Sequence, residues 1–205
     1  MSCEPIVTDG QAPKEIGRRL LHTRQVTCRG YLRDDGLFEF EGTLQDTKPR
    51  ETWLSFKQIA AGEPVHLMHI VMTVDADFVI HDVRTHSEAT PTPYCAVSKA
   101  VYDSLHGLTI GPSFKKRLAE RVGGEKGCTH LNELLGRMAT TVYQTITLLE
   151  YDAEYRKANP DFQPGLQEWV AGTCHAYRED GDVVRVLRQR GIHGGDTQLP
   201  GQLQA

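Results

Sequence analysis

Apolar and polar positions change their period twice along the chain. In "QVTCRGYLRDDGLFEFEGTLQDTK", Val26, Cys28, Gly30 and Leu32 alternate with polar partners, and Phe38, Phe40, Gly42 and Leu44 alternate again after a turn. Period two is the mark of a half-buried strand. A two-residue loop would set Leu32 opposite Glu39 and bury a carboxylate. A three-residue loop, Asp34-Asp35-Gly36 with the glycine in the left-handed region, pairs Leu32 with Phe38 and Val26 with Leu44. It also sets Arg29 opposite Glu41 on the solvent side, so the longer loop is expected. Turn chemistry then accounts for Asp34 and Asp35 without any catalytic role.

A second pair of strands is expected in "EPVHLMHIVMTVDADFVIHDVRTHSE". From Val65 to Val74 both faces are apolar, as in a central strand covered by helices on one side. The turn falls near Asp75-Ala76-Asp77. A three-residue loop would set His66 opposite His86, and a two-residue loop would separate them; the residues leave both open.

After "ATPTPYC" the period becomes helical. "AVSKAVYDSLHGL" predicts a short helix ended by Gly107, and "PSFKKRLAERVGG" a second one opened by proline and closed by Gly123-Gly124. Leu131, Leu134, Leu135, Met138, Val142, Ile146 and Leu149 then fall at steps of three and four, predicting one long helix from about Thr129 to Ala158, stopped by Asn159-Pro160. Residues 161–189 carry a weaker mixed pattern, read as helix then strand. Strands first and helices afterwards make an α+β fold: a small antiparallel sheet of two hairpins packed against C-terminal helices. Residues 17–189 form the expected domain, with a flexible lead at 1–16 and a flexible tail at 190–205.

Composition narrows the function classes. The 205 residues are 39% hydrophobic and 24% charged, in the ordinary globular range. Twenty-three basic against 27 acidic residues leave a net charge of −4, which lacks the basic footprint of a nucleic-acid binder. No apolar run reaches membrane-spanning length, and the acidic N-terminal stretch predicts no secretory signal. Cys3, Cys28, Cys95, Cys128 and Cys174 are odd in number, scattered and without CxxC spacing. A disulfide framework is therefore not expected, and the reading is cytoplasmic.

Candidate chemistry centres on "VGGEKGCTHLNELLG", where Cys128, Thr129 and His130 open the longest helix. One reading is structural: glycines turn the chain, Thr129 caps the helix, and Cys128 is a small buried group. The other is functional. A helix start carries unpaired amides and partial positive charge that bind anions and lower a thiol's pKa, and Glu133, three residues on, shares a face with His130. His66 and His69, three apart on a strand, point to opposite faces and cannot hold one ion together. Cys95 also stands at a helix start, so Cys95, Cys128 and His130 could supply three ligands to zinc or iron. Phosphate-loop, GxGxxG, GxSxG and HExxH motifs are all missing.

The stretches "RRLLHTRQVTCRGYLRDDGLFEFEGTLQDTKP", "AGEPVHLMHIVMTVDADFVIHDVRTHSEATPTPYC" and "GGEKGCTHLNELLGRMATTVYQTI" together resemble the bacterial domain-of-unknown-function family 2889. The resemblance singles out Arg33, Asp35, Lys48, His66, Cys95, Cys128, Thr129, His130 and Glu133. Leu67 stands where the family tends to an acidic residue. Its relatives are associated with bacteria that degrade aromatic compounds. The order "VDADFVIHDVR…C…HGLTIG…C" also looks like that of iron–sulfur cluster scaffolds.

The expected function is a small-molecule catabolic enzyme, a lyase or acid–base catalyst on an aromatic or carboxylated intermediate. His130 or His66 would transfer the proton, with Glu133 beside His130. The Thr129 helix end with Cys128 would hold the substrate, and Lys48 or Arg33 would orient a negative group. The alternative is a metal or iron–sulfur binding and transfer module. No organic cofactor is implied; zinc or iron stays open. The expected partner is a small-molecule substrate, with neither nucleic acid nor membrane, and a homodimer is left open.

Overall fold

The computed structural model describes residues 17–95, 99–149, 152–162 and 170–189. The expected lead and tail lie outside them. Strands β1 (Thr23–Leu32), β2 (Phe38–Thr47), β5 (Pro64–Val74) and β6 (Ile80–Ala89) form one antiparallel sheet in the order β1-β2-β5-β6. Between β2 and β5 the chain makes a small separate ladder, β3 (Thr52–Trp53) with β4 (Gln58–Ile59). Helices α1 (Lys99–Asp103), α2 (Phe114–Val122) and α3 (Thr129–Leu148) follow, then α4 (Ala153–Ala158) and α5 (Asp182–Gln189). The α+β reading holds.

The first hairpin has the expected register: Leu32 faces Phe38, Val26 faces Leu44, and Arg29 faces Glu41. Gly36 takes φ +82, the left-handed conformation that its turn requires. On β2 the alternation is strict, with Phe38, Phe40, Gly42, Leu44 and Asp46 buried and the intervening residues half-covered. β1 is less buried than its pattern suggests. As an edge strand it leaves Val26 and Leu32 exposed and only half-covers Cys28.

The second hairpin follows neither expected register. Val74 pairs with Ile80 across a loop of residues 75–79, in which Asp75 Oδ1 accepts the amides of Asp77 and Val79. Bulges at both ends of the ladder add further slip. His86 consequently faces His69, not His66.

α3 lies across the inner face of the sheet. Leu131, Leu134, Leu135, Met138, Val142 and Ile146 form one core with Phe38, Phe40, Leu44, Met68, Ile70 and Met72. Gly42 lets this helix close down, because a Cβ there would run into Met138 Sδ and press on Leu134. The expected single helix to Ala158 is two. α3 stops at Leu148, and Asp152, extended at ψ 111, starts α4 by accepting the Tyr155 amide at 2.9 Å. The strand expected late in 161–189 is helix α5. Its β-branched residues suggested extension, yet Val184 is buried and Leu187 half-buried, three apart on one helix face.

Candidate functional site

Asp46 is the last inward position of β2 and is 1% exposed. A carboxylate in that position must find donors. The β1 register supplies the first, placing Arg24 directly opposite. Arg24 Nε donates to Oδ1 and Nη2 to Oδ2, both at 2.8 Å, a two-pronged clasp. His22, just before β1, brings Nε2 to 3.0 Å from Oδ1. On the other side β5 places His66 opposite Asp46, with Nδ1 at 3.0 Å from Oδ2. An ionised carboxylate only accepts, so both histidine nitrogens facing it carry hydrogen. Neutral His66 therefore keeps its free lone pair on Nε2.

The start of α3 completes the group. His130 lays its ring against that of His66, with centroids 3.9 Å apart and planes tilted by 35°. Cys128 Sγ lies 3.9 Å from His130 Nδ1. One turn further on, Glu133 accepts from Arg24 Nη1 at 2.8 Å. Arg24 thus joins the sheet carboxylate to the helix carboxylate.

The electrostatics follow from this packing. Burial alone would raise the Asp46 carboxyl, but the Arg24 clasp, the His22 hydrogen bond and the nearby His66 outweigh it and pull the pKa to about 2. His66 is pushed below the usual histidine value by burial and by His130, with Asp46 pulling partly back. His130 is lowered by burial and then by the Arg24 charge, against Asp46 and Glu133. Both imidazoles are held toward the neutral form, and each disfavours a proton on the other.

The residues expected from sequence divide. His66, His130 and Glu133 come together, and Cys128 touches His130. Thr129 is exposed and is not the helix cap; the cap is Cys128, whose side chain makes no capping bond. Cys95 stands in a 3-10 turn with Sγ 3.5 Å from Thr92 Oγ1 and joins no metal-binding group among the described residues. Arg33 pairs with Asp35 at the hairpin tip. It stands nine positions along the chain from Arg24, roughly 30 Å at about 3.3 Å per residue. Lys48 follows β2 by one residue and makes no ion pair among the described residues; its carbonyl accepts from Gly62. On the uncovered face, His69 Nδ1 is 3.2 Å from Thr43 Oγ1, and its ring lies 6.3 Å from that of His86. Its Nε2 is 3.1 Å from Glu88 without hydrogen-bond direction.

Asp46, Arg24 and His22 were missed, although the signal was present. Asp46 continues the buried parity of Phe38 to Leu44, and the register that pairs Val26 with Leu44 also pairs Arg24 with Asp46.

Asp46, His66 and His130 each offer a ligand atom, all within 4.8 Å of one another. Two imidazoles and a carboxylate suit a borderline ion such as zinc or iron. The arrangement needs adjustment to accept one. Two imidazoles on one ion have centroids about 3.2 Å from it, and so about 4.5 Å apart at a right angle. The observed separation is 3.9 Å. An ion would turn His130 off the stack and loosen the Arg24 clasp.

A family model described as "Protein of unknown function (DUF2889)" matches residues 22–144. The chain belongs to that family. No curated protein and no solved structure matches it. No helix among the described residues is long and apolar enough to cross a membrane. Cys28, Cys95, Cys128 and Cys174 are free thiols.

Proposed function

We propose that the chain is a small-molecule enzyme that moves a proton at the Asp46–His66–His130 group, a lyase or related acid–base catalyst. The observation that carries this reading is the contact of two imidazoles depressed in pKa, one of them oriented by a buried carboxylate. His66 Nε2 accepts the substrate proton, and Asp46 steadies the imidazolium that forms, the logic of an acid-oriented histidine base. Because a charge on one ring opposes a charge on the other, the pair suits passage of a single proton. His130 relays it. The Arg24 charge is balanced by Asp46 and Glu133, so the donors left for a carboxylated substrate or a developing oxyanion are the first amides of α3. The aromatic part of the reading rests on the association of the family with bacteria that degrade aromatic compounds.

Turnover of a panel of small aromatic acids and alcohols tests this. His66→Gln and His130→Ala should each lose at least about a hundredfold while remaining folded. Full turnover in either variant would remove the proton-transfer role.

A second reading is favoured by the convergence of three ligand atoms: a divalent zinc or iron centre on Asp46, His66 and His130, either assisting an enzyme or serving a metal-binding module. It keeps His130 from the set expected in the sequence and replaces Cys95 and Cys128. Stoichiometric metal in purified protein, lost in His66→Ala and retained in Cys128→Ser, is its expected signature. Metal-free protein with full turnover would discard it.

A further inference from the structure

We infer that Tyr102 is a positioning residue that holds His130 over His66. α3 begins without a side-chain cap on its own chain segment. The missing partner comes from α1. Tyr102 is fully buried, and its hydroxyl accepts the Cys128 amide at 3.0 Å. The same hydroxyl donates to Asn132 Oδ1 at 3.2 Å, and Asn132 Nδ2 donates to the Val122 carbonyl at 2.7 Å. One buried relay thus ties α1 and the end of α2 to the first turn of α3. His130 lies between its two α3 anchors, Cys128 and Asn132.

The relay is made of groups that hold their roles. Burial pushes the Tyr102 hydroxyl up to about 12, with the Cys128 amide pulling partly the other way, so it remains a donor through the neutral range. There is also no slack beside it. A Cβ on Gly127 would collide with the Val122 carbonyl oxygen and press on Tyr102 Oη. The other ring of the pair is placed independently, by β5 and by the hydrogen bond to Asp46. Overlap of the rings therefore depends on where the start of α3 sits, and the tyrosine hydroxyl is a buried polar contact on that start, beside the core packing of Leu131.

This inference rests on the reading that His130 serves the proposed centre, but its test needs no substrate. In full-length protein labelled on histidine rings and on leucine and valine methyls, ring signals are assigned with His66→Gln and His130→Gln and compared between wild type and Tyr102→Phe. That variant keeps the buried ring and deletes one oxygen. The His130 signals should lose the displacement caused by the His66 ring current, while those of His69 and His86 stay in place. Asn132→Ala, which cuts the relay at its other end and leaves Tyr102 packed, should give the same loss. Unchanged His130 signals in either folded variant overturn the inference. So does an equal shift of the core methyls of Leu134 and Val142, or unfolding of both variants, since each would make the relay an element of general stability. Loss of turnover without a His130 shift would count against the relay alone; a His130 shift in an enzyme whose turnover ignores His66 and His130 would count against the proton-transfer reading alone.

Discussion

Arg24 stands directly across the β1–β2 ladder from Asp46 and clasps both of its carboxylate oxygens at 2.8 Å. Once that carboxylate is pinned, the proton-bearing nitrogen of His66 is fixed as Nδ1, and the face it offers to His130 is fixed with it. The consequences can be measured one at a time.

Asp46→Asn keeps the shape and removes the charge. The folded pKa of about 2 lies below the ordinary 3.8, so the folded state favours the ionised form. That stabilisation is complete above 3.8 and is lost as pH falls toward 2, and it is worth about 2 kcal/mol. Urea unfolding should show wild type ahead by that order at pH 7, with the gap closing near pH 2. A gap independent of pH would mean that charge contributes nothing here.

The histidine pair acts in the same direction at higher pH. Folded His66 and His130 hold a proton less readily than the unfolded chain, whose histidines titrate near 6.5. Stability is therefore full above 6.5 and declines as pH falls below it. Between pH 7 and 5 the denaturation midpoint should drop, and it should drop less in the double variant His66→Gln, His130→Gln. An identical slope would contradict the depressed pKa values.

Gly127→Ala places a methyl against the Val122 carbonyl, a backbone atom that cannot swing away. Overpacking of this kind costs about 1–3 kcal/mol. Thermal unfolding should show a lower midpoint than for Gly136→Ala, where the added methyl meets open space.

Thr129→Ala checks that Thr129 has no capping role. A threonine that capped α3 would cost about 1 kcal/mol on removal. Thr129 is exposed at the first helical position, beyond the cap, so the change should stay within about 0.5 kcal/mol in chemical denaturation.

Arg24→Ala tests the metal reading from its weak side. Arg24 occupies both oxygens of Asp46 and carries a positive charge beside the three ligand atoms. Its removal should tighten zinc binding, measured calorimetrically, by roughly tenfold or more. Weaker binding would instead make Arg24 the partner that orients Asp46 for a metal.

Much of the fold was legible because it rests on short-range periods. Parity and one glycine settled the first hairpin to the residue, and the apolar stripe located α3. Errors fell where local preference was overruled. Asp152 offered a fresh cap and split the long helix, while burial of Val184 made a helix from residues that favour strands. The second hairpin slipped because bulges and the hydrogen bonds inside loop 75–79 set its register, and alternation alone cannot count those residues.

By itself the sequence determined an α+β chain with a two-hairpin sheet, a long apolar helix and a histidine at the start of that helix. It also contained the Arg24–Asp46 pair, implicit in a register already read. Only the tertiary structure decided that His66 meets His130 and that His86 does not meet His66. The physical reason is range: strand and helix periods are fixed by neighbours a few residues apart. The contact between β5 and the head of α3 joins positions 64 apart, and it depends on where a sheet and a helix come to rest against one core.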